Sequence, residues 1–414
     1  MTELHPTDVL DVDLSPAGFA GLLPVMLADL EELVSCETPS SDLAAVAEGA
    51  QRVARLGARD LGAEPEVLVR EGCTHLRWRL GSGPRRVLVL CHQDTVWPHG
   101  TLAEIPWSVT DGVVRGPGCF DMKAGIVLAG TALARLRAAG VDLDGVTVLV
   151  TGDEEIGSPT SAELIRAEAR DCAAVFVLEA SADGGALKTG RKGASMYDLV
   201  VTGRAAHAGL EPEKGVSATV ELAHQVLAIT ELADPALGTT VTPTVLASGT
   251  TTNTVPATGR LSVDVRALTA AEQHRVDAGM RALTPRLPGA VLELRGGVNR
   301  PPLEEASSAG LFALAEQVCA RLGLPAPAGV TVGGASDGNF TAGIGVPTLD
   351  GLGAVGGGAH AVGEHVLAEA LPGRAALLAG LLRAVLAGSD GEVRNGAAPD
   401  GTGVGVPDEE PPGE

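Results

Sequence analysis

Aromatic residues are nearly missing from this 414-residue chain: five Phe, three Trp and one Tyr make up only 2% of it. Hydrophobic residues still reach 45%, so a large core is available, but Ala, Val and Leu must fill it. Basic residues are also scarce. Thirty Lys and Arg stand against 52 Asp and Glu, a formal charge of −22. A nucleic-acid partner needs a basic surface that displaces counterions, and an anionic membrane needs Lys and Arg clusters. The charge balance argues against both.

The six cysteines, Cys36, Cys73, Cys91, Cys119, Cys172 and Cys319, are too dispersed for a C-x-x-C metal or redox motif. They are expected as reduced thiols of a cytoplasmic protein. The opening "MTELHPTDVLDVDLSP" lacks a basic stretch followed by an apolar one, so no signal peptide is expected. No apolar run is read as approaching the roughly 18 residues of a membrane span.

What is present begins with alternation. Residues 18–57 read as two helices broken at "CETPSSD". Val87–Leu90 is a strand, "DMKAGIVLAGTALARLRAAG" a helix, "GVTVLVTG" a strand, "SPTSAELIRAEAR" a helix and "AAVFVLEA" a strand. This pattern predicts an α/β fold with a doubly covered, mostly parallel sheet. From about Gly193 the texture changes to strand, helix, two strands, helix, strand, which predicts an inserted ferredoxin-like βαββαβ unit. Helices are then expected around Gly310–Leu322 and from about Glu364 to Ala387, with a strand at "VPTLDGL" between them. The pattern gives an α/β domain over 1–192 and 302–387 and an inserted domain over 193–301. An acidic, Gly- and Pro-rich tail over 388–414 is expected to be disordered.

Several of these strands end on chemistry. Val87–Leu90 runs into His92 and Asp94, which share a face because residues two apart in an extended chain do. A metal-bound imidazole commonly has its other ring N–H held by a carboxylate; a polar pair at a solvent edge is the plainer reading. "VTVLVTGDEE" ends at Asp153, Glu154 and Glu155, and "VFVLEAS" at Glu179. Asp121 stands between a Gly/Pro-rich turn and a helix, where an N-cap is the ordinary role. His360 follows the flexible "GLGAVGGGAH". Ligands of open parallel sheets sit at strand carboxyl ends, and that rule groups residues which singly mean little. Gly351-Leu-Gly353-Ala-Val-Gly356 matches G-x-G-x-x-G, yet no helix follows directly and no acidic residue stands on a later strand. A dinucleotide site is therefore not expected.

Together "CHQDTV", "GPGCFDMKAG", "TGDEEIGS", "LEAS", "GGASDGNF" and "GGGAH" resemble the zinc exopeptidase family of glutamate carboxypeptidases and aminoacylases, most of all its bacterial glutamate carboxypeptidase branch. The resemblance spans roughly residues 20–388. Ala124 departs from it, standing where the family usually has a second glycine. The resemblance implies two Zn2+ per chain, with Co2+ or Mn2+ as substitutes. It implies Asp121 as the bridge, His92 and Glu179 on one ion, and Glu155 and His360 on the other. Glu154 would be the general base and Asp94 would orient His92. His207 in "GRAAHAG" would reach across a homodimer to the oxyanion. Asn253 and Arg266 would bind substrate, and Arg300 would be a further substrate-side arginine, with Lys188 and Arg191 as weaker candidates. The implied activity is hydrolysis of an amide bond next to a free carboxylate in a small peptide or N-acyl amino acid. An N-acyl-amino-acid deacylase of the aminoacylase, acetylornithine or succinyl-diaminopimelate type is the nearest alternative. A non-catalytic small-molecule binder is a remote one.

Overall fold

The structure is a computed structural model and describes residues 13–388. The expectations for the first residues and for the acidic tail lie outside the described residues.

Six strands form the main sheet, in the order Glu66–Arg70, Cys73–Arg79, Val146–Thr151, Val87–His92, Ala174–Val177 and Thr348–Leu349. The last four run parallel. The first two form an antiparallel hairpin on one edge, which the alternation of strands and helices does not announce. Every residue of Val87–His92 is buried, as a strand covered on both faces requires. Side-chain alternation sorts them. Val87, Val89 and Cys91 join a core shared with Val53, Leu128, Leu133 and Leu378. Leu88 and Leu90 point the other way, against Leu164, Ile165 and Phe340. The small aromatic share is thus met by aliphatic packing on both faces.

A second, four-stranded sheet has the order Thr240–Ser248, Thr258–Ala267, Gly193–Thr202, Val291–Arg300, and all its neighbours are antiparallel. The helices Ala218–Thr230 and Ala270–Arg281 contribute Leu222, Ile229, Val276 and Met280 to a separate core with Tyr197, Leu199, Val201, Leu261, Val263 and Val265. Along the chain the elements run strand, helix, strand, strand, helix, strand.

Three local expectations are corrected. The helix placed from Asp121 starts at Ala124, and Asp121 lies in an irregular turn with φ −115° and ψ 96°. The helix placed from about Glu364 starts at Leu371, with Pro372 in its first turn; His365–Leu367 is a short strand instead. The segment Ala368–Ala387 is long and apolar enough by length and composition to cross a membrane, contrary to the reading of the apolar runs. Arg374 and Arg383 interrupt it in sequence, which hides the run. In the fold it is a core helix whose Leu377, Leu378, Leu381 and Leu382 are buried.

Candidate active site

The parallel strands fix the site. His92 closes its strand in register with Thr151, the last residue of the neighbouring one. Glu154 and Glu155 follow Thr151 after a two-residue turn, and Glu179 follows the strand Ala174–Val177. All three therefore emerge at the same edge of the sheet. Asp121 reaches that edge from the turn before Ala124–Ala138, which begins at Gly118 with φ +73°, and its peptide bond to Met122 is cis. The loop 351–360 brings in His360. Gly353 is essential to that path: its N–H donates to Glu179 O at 2.8 Å. A Cβ there would lie 2.3 Å from Leu178 O and 2.6 Å from Glu179 O.

These residues assemble into two groups that share Asp121. His92 Nε2 lies 3.4 Å from Asp121 Oδ1 and 3.3 Å from Glu179 Oε1. His360 Nε2 lies 3.3 Å from Asp121 Oδ2 and 3.1 Å from Glu155 Oε2. The two oxygens of one carboxylate thus face two different imidazoles. His92 Nε2 and Glu155 Oε1 are buried without a hydrogen-bond partner. Buried polar atoms are ordinarily satisfied, and a cation bound in each group would satisfy these. Two His and three carboxylates, all N and O donors, suit Zn2+ and similar divalent ions. The residues fit a metal pair.

The imidazoles and carboxylates of the site also perturb one another. Asp121 and then Glu155 hold the His360 imidazole's pKa up at about 10. Burial works against a charge on His92, but Asp121, Asp94 and Glu179 outweigh it and raise its pKa well above the usual range. Burial likewise opposes ionisation of Asp121, yet His360 and His92 hold its carboxyl far below the usual carboxylate range. Burial pushes Glu155 up. It pushes Glu154 up strongly, against the pull of Arg300.

Supports surround the groups. His92 Nδ1 donates to the backbone oxygen of Asp94 at 3.0 Å, with Asp94 Oδ1 at 3.4 Å. The nearer orienting group is thus the Asp94 carbonyl. The Asp94 carboxylate also accepts from Ser40 Oγ at 2.7 Å and from the N–H groups of Glu154 and Glu155, both at 3.2 Å. It ties the ends of two strands together. Arg300, expected on the substrate side, is buried behind Glu154. Its Nη2 is 2.9 Å from both Glu154 Oε1 and Glu154 O, 2.7 Å from Ser158 Oγ and 3.1 Å from Asp337 Oδ1. Arg191 is paired through both Nε and Nη2 with Asp350 and stands 3.7 Å from Glu179 Oε2. Ser40, Asp337, Asp350 and Glu364 were not singled out from sequence. A third group, Cys73, His75 and Asp153, also comes together. Its acceptors are already engaged: Gly152 N–H donates to His75 Nδ1, and Asp153 accepts from the backbone and hydroxyl groups of Thr160 and Ser161. It braces the turn that carries Glu154.

The remaining candidates lie elsewhere. His207 and Asn253 are exposed on adjoining loops, joined by Ala208 N–H donating to Asn253 O at 2.9 Å. Arg266 pairs with Asp264 of its own strand, Nη2 to Oδ2 2.9 Å. Among the described residues, none of these three makes a hydrogen bond or ion pair to the metal-ligand groups.

The description "Peptidase family M20/M25/M40" belongs to the family model that matches residues 88–384. The chain is 31% identical over 379 residues to Carboxypeptidase G2 of Pseudomonas sp. (strain RS-16), covering 88% of this chain and 90% of that protein. It is 31% identical over 166 residues to a succinyl-diaminopimelate desuccinylase of Rhodopseudomonas palustris (strain BisA53), covering 36% of this chain and 42% of that one. An M20 family metallo-carboxypeptidase from Sulfolobus solfataricus superimposes with a TM-score of 0.68 at 16% identity, over 87% of this chain and 99% of the other. At that identity the likeness is one of fold.

Proposed function

The chain belongs to peptidase family M20/M25/M40 and is a hydrolytic metalloenzyme, and from this we propose that it cleaves an amide bond adjacent to a free carboxylate, in the manner of a glutamate carboxypeptidase. The observation that carries the reading is the shared carboxylate of Asp121 between two complete ligand groups. His92 and Glu179 would hold one divalent ion such as Zn2+, Glu155 and His360 would hold the other, and Asp121 would serve both groups. When bound, such a pair would acidify a water and polarise the substrate carbonyl, a role Co2+ or Mn2+ would also fill.

Glu154 is the general base. It takes the proton of the attacking water and passes it to the leaving nitrogen. Burial raises its proton affinity, and Arg300 opposes that rise. Neighbouring Glu155 is committed to His360 and its metal group, so the two adjacent glutamates have separate tasks.

The second sheet and its helices form the substrate-side and dimerisation unit. His207 Nδ1 accepts from Gly209 and Leu210 N–H at 3.2 Å, so a neutral ring carries its proton on Nε2, as an oxyanion donor must. We assign it, with Asn253, to the active site of the partner in a homodimer. Val245 and Leu246 on the edge strand and Leu227 on the neighbouring helix are exposed apolar residues that such a dimer would cover. Arg266 anchors the substrate carboxylate by exchanging Asp264 for it.

The partial match to a desuccinylase supports a second reading, deacylation of an N-acyl amino acid with the same metals. A panel of N-acyl-glutamates, folate-like conjugates, dipeptides and acetyl- or succinyl-amino acids separates the two. The highest kcat/KM on substrates with a C-terminal glutamate supports the peptidase reading. Turnover confined to acetyl- or succinyl-amines contradicts it.

A further inference from the structure

Glu364 lies four residues beyond His360 and is fully buried. Its carboxylate accepts four N–H groups, two on each oxygen. Oε1 takes Phe120 N at 2.9 Å and Asp121 N at 3.0 Å. Oε2 takes Gly118 N at 2.8 Å and Trp97 Nε1 at 2.7 Å. That fills the acceptor sites of an ionised carboxylate. Three of the donors are the backbone of the turn Gly118–Asp121, whose φ and ψ at Asp121 are not helical. Backbone bonds such as Lys123 N–H to Gly118 O at 3.1 Å close the turn, but the N–H groups of Gly118, Phe120 and Asp121 find their acceptors in Glu364.

The other end of the connection is equally short. Glu364 N–H donates to Ala361 O and Ala361 N–H to Gly358 O, both at 2.9 Å, which closes the chain tightly around His360. His360 has φ +61°, in the left-handed region that a residue with a side chain adopts only when its surroundings hold it there. One carboxylate therefore joins the turn bearing Asp121 to the turn bearing His360, and these two residues face each other at 3.3 Å.

We propose that Glu364 is a positioning residue that sets the spacing of Asp121 and His360, and so the affinity of the cation site those two form with Glu155. The inference rests on the reading of Asp121 and His360 as metal ligands. It explains why the residue is glutamate: glutamine of the same shape would turn an N–H2 group towards N–H donors, and aspartate falls a methylene short.

The test uses metal-free full-length protein, titrated with Zn2+ against a competing chelator and with Co2+ followed by its visible absorption. Wild type, Glu364→Gln, Trp97→Phe and His360→Ala are compared, with near-UV circular dichroism as the check on folding. Groups that orient metal ligands are typically worth about 10–100-fold in metal affinity. Glu364→Gln should lose affinity on that scale in the same binding step that His360→Ala removes, with an altered Co2+ spectrum. Trp97→Phe, which deletes one of the four donors, should weaken the same step by a smaller factor. A residue needed only for folding would lower thermal stability and leave both metal steps unchanged. A folded Glu364→Gln protein with wild-type affinity for both ions overturns the proposal. If that variant does not fold, an unchanged second step in Trp97→Phe overturns it. Wild-type protein that binds no metal brings down the ligand reading itself, and this proposal with it.

Discussion

Arg300 Nη2 stands 2.9 Å from Glu154 Oε1, so the carboxylate assigned to proton transfer rests on a buried guanidinium. The same nitrogen holds Ser158 and Asp337, which keeps the Glu154–Ser158 turn attached to the strand Val291–Arg300.

Replacing Glu154 by Gln removes the base and leaves both ligand groups intact. Metal content should stay at the wild-type level while kcat falls by about 10²–10⁴-fold, the usual worth of general acid–base catalysis. Retention of more than a tenth of wild-type turnover, measured with metal content verified, contradicts the role.

Arg300→Ala acts on the base indirectly. Arg300 pulls the Glu154 pKa down, so its loss lets that pKa rise further. The acid limb of kcat/KM, where activity is lost as Glu154 becomes protonated, should move to higher pH. Leaving Glu154 and Asp337 buried without their partner should also cost on the order of 3–5 kcal/mol of stability. A pH–rate profile with an unmoved acid limb shows that Arg300 does not tune Glu154.

Metal uptake should be coupled to proton release. In the metal-free site, Asp121 and Glu155 hold the His360 pKa at about 10, and carboxylates raise that of His92 well above the usual range. At pH 7 the His360 ring is below its pKa and carries a proton, whereas a metal ligand must be neutral. Zn2+ binding should therefore expel the His360 proton, and affinity should climb as pH rises towards the His360 value. Calorimetry in two buffers of different ionisation heat reads the number directly. Equal apparent enthalpies in both contradict it.

What the sequence made legible was local. His92, Glu154, Glu155 and Glu179 stand at the ends of apolar strands, and the strand-end rule applies to each without knowledge of the rest. Asp121 and His360 were legible through the motifs around them. The supports were not, because each partner is remote in the chain. Glu364 meets Asp121 across 243 residues, Arg300 meets Glu154 across 146, and Arg191 meets Asp350 across 159. In sequence Glu364 looks like the first residue of a helix, and Arg300 like any arginine at a strand end. Only the "EHVL" pattern, an acid directly before a short strand, marks the break that places Glu364 inside. The hairpin Glu66–Arg79 escaped for a different reason: its first strand is largely exposed and shows little apolar alternation.

The cross-subunit role of His207 is tested by mixing two inactive variants, Glu154→Ala and His207→Ala, under conditions of subunit exchange. In a mixed dimer one site is whole and the other lacks both residues. About half the dimers are mixed under two-fold symmetry, so roughly a quarter of wild-type activity should return. A mixture that stays inactive despite demonstrated exchange excludes the role.

Asp121 is proposed to join two cation sites into one catalytic centre. This is tested most directly by titrating metal-free protein with Zn2+ while following both bound metal and hydrolysis of an N-acyl-glutamate, alongside Asp121→Ala. Wild type should take up two equivalents per chain, with full activity only once both are bound, and Asp121→Ala should lose metal and activity together. Full activity in the stripped enzyme, or an inactive Asp121→Ala protein that holds two Zn2+ as tightly as wild type, would contradict the claim.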